Sequence, residues 1–151
     1  MPQDGPQVKV IRIFVGSPTD VSTERRLAHQ LIDQLNDSPH YRDRYRFEAV
    51  MWDTSAYPQI AWVSPQKAIE AHLPKPSECD VAVFIFWSRV GTPLPEADYP
   101  QWPDVERLHE PAAEHRTGSV WEFYEAMAGA QARDDGRPAE PSSSWIDARR
   151  S

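Results

Sequence analysis

Seven consecutive apolar residues, VAVFIFW at 81–87, constrain the fold of this chain more than any other feature. An uninterrupted apolar run of this length is typical of a strand that is buried on both faces, as in a parallel sheet covered by helices. Two further short runs that are rich in β-branched or aromatic residues, 8–15 and 46–52, are also predicted to be strands. The run at 81–87 is therefore predicted to be the third strand of a parallel sheet and to lie at its centre.

Helices are predicted between and after these strands. The first begins with Ser17 as its N-cap and Pro18 at its first position. A second opens at residues 64–65 by the same Ser-Pro signal, and a third covers 120–132 with Ser119 as its cap. The alternation of strands and helices predicts a doubly wound α/β fold with helices on both faces of the sheet.

The remaining segments set the predicted domain organisation. Residues 1–7 are expected to be a flexible leader, 8–135 the α/β domain and 136–151 a disordered or truncated tail. Within the domain, 92–117 is a long, acidic, Pro-rich loop, and loops of this length are usually functional or disordered. The tail is polar where an α/β domain would offer another apolar strand, which predicts a three-stranded sheet with an open edge. Such a domain is minimal, truncated or completed by a partner.

Charge and composition exclude several classes of protein. Lys and Arg total 16 against 23 Asp and Glu, a formal net charge of -7, which argues against nucleic acid or an anionic membrane as a partner. No apolar run is long enough to span a bilayer, and the single cysteine, Cys79, cannot form an internal disulfide. A cytoplasmic protein is predicted.

Several stretches occur in an order that resembles a known family. They are IFVGSPTDVSTER at 13–25, SPQKAI at 64–69, CDVAVFIFWSRVGTP at 79–93 and TGSVWEFYEA at 117–126. Together they resemble the TIR-like domain-of-unknown-function family 4062, which typically stands at the N-terminus of bacterial signalling and defence ATPases of the STAND type. The resemblance implies a flavodoxin-like or TIR-like three-layer sandwich with a mainly parallel sheet. The family pattern continues with a hydrophobic strand that the tail of this chain does not show, so the last strand or strands of that sheet are expected to be missing.

The resemblance also implies a chemistry. TIR-like and deoxyribosyltransferase-like relatives cleave N-glycosidic bonds, in NAD or in nucleosides, with a Glu on the helix after the third strand. The deoxyribosyltransferase pattern falls on Gly118 and Glu122, and the TIR pattern falls on Trp121 and Glu125. Both alignments stay open, so Glu122 and Glu125 are the candidate catalytic residues and Trp121 is a candidate ligand contact. NAD or a related nucleotide is the expected substrate, with no cofactor and no metal.

Both glutamates also have an ordinary structural interpretation. Ser119 and Glu122 fit the S-x-x-E capping box, in which the Glu side chain returns to the N-cap amide. Glu125 points directly away from the predicted core stripe around Phe123, so a solvated surface position explains it. The helical wheel favours Glu122 over Glu125 as the catalytic candidate.

Other candidate ligand contacts stand at the carboxyl ends of the predicted strands, where ligands of open parallel sheets bind. They are Ser17, Asp20, Asp53, Trp87 and Arg89. Ser17 and Asp20 line a phosphate or ribose site, or only cap a helix, and Asp53 contacts a ribose or only forms a turn. Trp87 stacks on a base or packs in the core, and Arg89 meets a phosphate or pairs with an acidic residue of the long loop.

A non-catalytic function is the alternative to the enzyme. In this hypothesis the domain is a signalling module that forms a homo-oligomer or docks a STAND-type ATPase or another signalling partner. The acidic loop and the open edge of the sheet would supply its surfaces. Cys79, which precedes the third strand with no matched base nearby in sequence, is predicted to be structural.

Overall fold

The computed structural model describes residues 7–51, 74–136 and 145–147, and it has an α/β fold. Three strands form a parallel sheet in the order β2-β1-β3, namely β1 (Gln7–Gly16), β2 (Tyr45–Met51) and β3 (Val81–Phe84). A fourth strand, β4 (Trp145–Asp147), pairs antiparallel with the first residues of β1. Two α-helices, α1 (Ser22–Asp37) and α2 (Gly118–Asp134), complete the described elements together with short 3-10 helices at Thr19–Val21, Pro76–Glu78, Glu96–Asp98 and Ala113–His115.

The two α-helices cover opposite faces of the sheet. On one face, Ile13 and Val15 of β1 form a buried cluster with Ile32 of α1. On the other face, Phe14 of β1 packs with Phe84 of β3, whose ring centroid lies 5.5 Å from that of Phe123 in α2. Since alternate residues of a strand point to opposite faces, this arrangement is a three-layer sandwich, and the predicted α/β fold class is confirmed.

The predicted central position of the third strand is wrong. β1 lies between β2 and β3, and in the part of the chain that the structure describes no strand pairs with the outer edge of β3. Val81 and Val83 of β3 are 45% and 39% exposed. An apolar run indicates what a strand can bury, but it does not specify which neighbours are present to bury it.

The first helix begins later than predicted. Ser17 does not cap it, because a 3-10 turn at Thr19–Val21 intervenes and α1 starts at Ser22, with Val21 as its N-cap and no capping side chain. At its other end, Asn36 fixes the helix to β2, donating to the carbonyl of Phe47 (2.8 Å) and accepting from its amide (2.7 Å).

The acidic loop is folded onto the outer side of α2. Tyr99 and Val105 are buried, and the Trp102 ring meets that of Tyr124 in α2 at a centroid distance of 5.8 Å. The amide of Glu106 donates to the side chain of Gln131 in α2 (3.0 Å). The loop at 92–117 therefore packs against α2 through several of its side chains.

The tail contributes a strand that its polar sequence does not predict. β4 pairs through Lys9↔Trp145, Val8↔Ile146 and Gln7↔Asp147. The helix predicted from residues 64–65 lies outside the described residues, as does the last position of the predicted second strand, Trp52. Among the described residues, neither helix combines the length and apolar character needed to cross a bilayer.

Candidate functional site

A buried carboxylate lies at the carboxyl end of the central strand. Glu122 of α2 is 8% exposed, and its Oε2 lies 3.1 Å from the position that a Cβ on Gly16 would occupy. Ring atoms of Phe84 lie 2.7 Å from the same position. Only glycine leaves room for this approach, so the last residue of β1 admits both the aromatic ring and the carboxylate.

Glu122 does not belong to a capping box. The N-cap of α2 is Thr117, whose hydroxyl oxygen accepts from the amide of Val120 at 3.3 Å. Thr117 is fully buried and also donates its hydroxyl proton to the carbonyl of Val90. The helix thus starts before Ser119, the predicted cap, and Glu122 falls in its second turn, beyond the N3 position from which a capping-box carboxylate acts.

Glu125 is held at the opposite end of the sheet. Its Oε1 accepts a hydrogen bond from Ser77 at 2.8 Å, and Ser77 lies in the segment that leads into the amino end of β3. Arg133 reinforces this contact by donating to the carbonyls of Ser77 (2.8 Å) and Cys79 (3.1 Å). The prediction that Glu125 is only solvated is therefore wrong, because it ties α2 to the segment before β3.

The hydroxyl of Ser17 is buried directly after β1. Its Oγ is inaccessible and, within the described residues, has no hydrogen-bond partner. A buried hydroxyl without a partner costs about 1–3 kcal/mol, so each such group needs an explanation. Ser17 follows Gly16, and the hydroxyl therefore stands beside the strand end that Glu122 approaches.

Asp20 and Arg89 are brought together at the same end of the sheet. The Nε of Arg89 lies 3.6 Å from Oδ2 of Asp20, with the arginine side chain 54% exposed. Asp20 is thus one partner of Arg89, and it belongs to the turn before α1 and not to the acidic loop. The Asp20 side chain is 22% exposed, so this ion pair places a half-exposed guanidinium beside a largely buried carboxylate.

The remaining predicted ligand contacts are Trp87, Trp121 and Asp53, and the structure gives a different result for each. Trp87 is 82% exposed, so the expectation that it packs in the core is wrong. Trp121 meets the buried ring of Tyr99 at a centroid distance of 5.8 Å and therefore lies under the acidic loop. Asp53 lies outside the described residues.

Two residues of this region were missed by sequence reasoning. Gly16 directly follows the predicted first strand, and this position at a carboxyl strand end is the signal that could have drawn attention to it. Phe84 lies in the middle of the predicted run 81–87 and becomes a strand end only because β3 stops there.

Cys79 is expected to be unreactive in the folded protein. Burial raises the pKa of its thiol from 9.0 to about 11. At pH 8 the thiolate should therefore be about 100-fold scarcer in the folded chain than in the unfolded one, and labelling by a disulfide reagent should be at least that much slower. Between pH 9 and pH 11 the unfolded thiol ionises first, so the free energy of unfolding should fall as the pH rises. Labelling of the native chain at the rate of the denatured chain would contradict this prediction.

Compared with models of known families, with curated proteins and with solved structures, the chain shows no match. Within 7–51, 74–136 and 145–147, no group of three or more His, Cys, Asp and Glu side chains could hold a metal ion.

Proposed function

We propose that this chain is an effector domain that cleaves the N-glycosidic bond of NAD or a related nucleotide, with Glu122 as its catalytic carboxylate. The observation that carries the proposal is the position of that carboxylate, buried against Gly16 at the carboxyl end of the central strand. This is the edge at which open parallel sheets bind ligands. The capping role that otherwise explains Glu122 belongs to Thr117.

The arrangement suits the charge that develops during the reaction. As the bond between the sugar and the base breaks, the base leaves with the electron pair and the sugar becomes an oxocarbenium-like cation. A carboxylate beside the sugar stabilises that cation, or attacks it, before water adds its hydroxyl and releases a proton. The Ser17 hydroxyl, which is buried without a hydrogen-bond partner among the described residues, is the candidate to bind a ribose oxygen. Arg89, whose side chain is half exposed, is the candidate cation for the phosphate.

The cellular setting of the proposal follows from the family resemblance. The domain would act in the cytoplasm as part of a bacterial defence or STAND-type signalling system, with NAD as substrate and with no resident cofactor. A STAND-type ATPase or another copy of the chain would be its partner, rather than nucleic acid or a membrane.

The test is turnover of NAD at high protein concentration, followed by chromatography of the released base. Release of nicotinamide together with ADP-ribose supports the proposal, and substitution of Glu122 by Gln should remove it. If the folded chain releases no base from NAD or from common nucleosides and nucleotides, the proposed activity is wrong.

A second candidate function is that of a non-catalytic self-assembly module, and a specific observation favours it. Val81 and Val83 share the face of Ile13 and Val15, since each valine pairs with one of these residues in the sheet. This is the face that carries α1, on which Leu27 and Leu31 are 51% and 60% exposed. An apolar surface next to the outer edge of β3 is suited to pairing with a second copy of the chain.

Substitution of Val83 by Lys tests the assembly function. If the surface pairs with a second copy, the wild type should form a concentration-dependent dimer, and the dimer should dissociate in V83K because burial of an unpaired ammonium is costly. Light scattering coupled to size-exclusion chromatography measures the mass, and an exposed substitution on another face, Glu114→Lys, is the control. A wild type that stays monomeric at all concentrations would contradict the assembly function.

A further inference from the structure

The rings of Phe84 and Phe86 form an aromatic pair next to Glu122, and the Phe86 ring is partly exposed at the surface. The ring of Phe84 lies beside the Glu122 carboxylate, because both reach within about 3 Å of the same point next to Gly16. The ring of Phe86 lies 6.4 Å from that of Phe84, centroid to centroid, with only 9° between their planes. Phe86 is 40% exposed. A flat aromatic face is therefore available near the buried carboxylate.

The backbone places Phe86 where a ligand would arrive. The amide of Ile85, the first residue after β3, donates to the carbonyl of Gly16 at 2.9 Å and so holds this segment against the end of β1. Phe86 follows directly, at the carboxyl edge of the sheet, and its parallel alignment with Phe84 puts it on the α2 face that carries Glu122. Trp87, the residue predicted to stack on a base, is 82% exposed and follows Phe86 by one position, further from the end of β3.

We propose that Phe86 is the stacking surface for the aromatic nitrogen heterocycle of the substrate and so places the glycosidic bond toward Glu122. This inference rests on the proposed function for the chemistry, but it concerns binding. A flat heterocycle such as nicotinamide or adenine gains from an exposed aromatic ring, and stacking of one base on one side chain changes binding by about 5- to 150-fold. Stacking on Phe86 selects N-glycosides of aromatic bases as substrates. In the bound substrate the base lies nearer to Phe86 and the phosphate nearer to Arg89.

The test is equilibrium binding by calorimetry, in the full chain carrying Glu122→Gln so that no probe is consumed. The probes are NAD, nicotinamide mononucleotide and AMP, which separate the two bases, with ribose 5-phosphate as the probe without a base. Phe86→Leu removes the aromatic face and keeps apolar bulk, whereas Phe86→Trp restores an aromatic face. Tyr41→Leu is the matched control, since Tyr41 is also 40% exposed and its ring also packs against neighbouring rings, those of Phe47 at 5.7 Å and His40 at 6.4 Å.

The expected result is at least about fivefold weaker binding of base-containing probes in F86L, recovery in the Trp variant and no change in Y41L. Ribose 5-phosphate should bind all variants equally. Unchanged binding in F86L, or loss of binding in Trp87→Leu alone, would overturn the inference, and so would a parent chain that binds none of the base-containing probes. Because binding is read without turnover, an inactive wild type that still binds through Phe86 would refute only the proposed reaction.

Discussion

Replacement of Glu122 by Gln is expected to lower NAD turnover by about 1000-fold, because it removes the negative charge beside the sugar while keeping the size of the side chain. Gly16 and the Phe84 ring enclose the carboxylate, so water does not readily take its place. The loss should appear in kcat rather than in KM, since the carboxylate acts on a charge that exists only during bond cleavage. Initial rates over a range of NAD concentrations measure both constants.

The matched control is the same substitution one turn further along α2. In Glu125→Gln the amide oxygen can still accept the hydrogen bond from Ser77, so turnover should stay within about threefold of the wild type. Melting temperatures of both variants show whether the fold is retained. Loss of turnover in E125Q with activity retained in E122Q would transfer the catalytic role to Glu125 and contradict the proposed site.

Substitution of Gly129 by Val is expected to destabilise the protein by about 3 kcal/mol or more. A Cβ at position 129 would lie 2.9 Å from the Cα of Ser77 and 2.7 Å from its Cβ. Neither atom can move without shifting the 3-10 turn at Pro76–Glu78 away from α2, and with it the hydrogen bonds from Ser77 and Arg133. Urea unfolding followed by circular dichroism measures the free energy of unfolding.

The control for this prediction is Ala130→Val, at the next position of the helix. Ala130 is exposed, so only the lower helix propensity of Val acts there, a loss of about 0.5 kcal/mol. Equal stabilities of the two variants would show that α2 does not pack against Ser77 as closely as described.

The sequence predicts the strands better than the starts of the helices. β1 and β2 follow from short runs of β-branched and aromatic residues, which need only a local preference and a buried face. The start of α2 was misplaced because Thr117 and Ser119 are both good caps. The choice between them is made by a tertiary contact, the hydrogen bond from Thr117 to the carbonyl of Val90. A local signal cannot include a partner 27 positions away in the chain.

The candidate site was predicted in part, for a similar reason. Glu122, Ser17 and Arg89 are candidates from the sequence alone because they stand at strand ends or in motifs. The pairing of Arg89 with Asp20 and the ring of Phe86 near the carboxylate depend on how β1, β3 and α2 meet. These contacts are properties of the packed sheet, and no spacing along the chain encodes them directly.

The acidic loop is closed at its base. Pro93 and Thr117 form an isolated bridge, and the amide of Leu94 donates to the carbonyl of Arg116 at 2.8 Å. The two ends of the acidic loop therefore lie side by side next to the start of α2, and this paired base is called the neck of the loop. The entropic cost of closing a loop grows only slowly with its length. Changes in the length or the charge of the loop tip therefore need not displace the helix that carries Glu122. The neck thus separates two regions of the protein. The tip of the loop is free to diverge in sequence, whereas the carboxyl end of β1 has a fixed geometry.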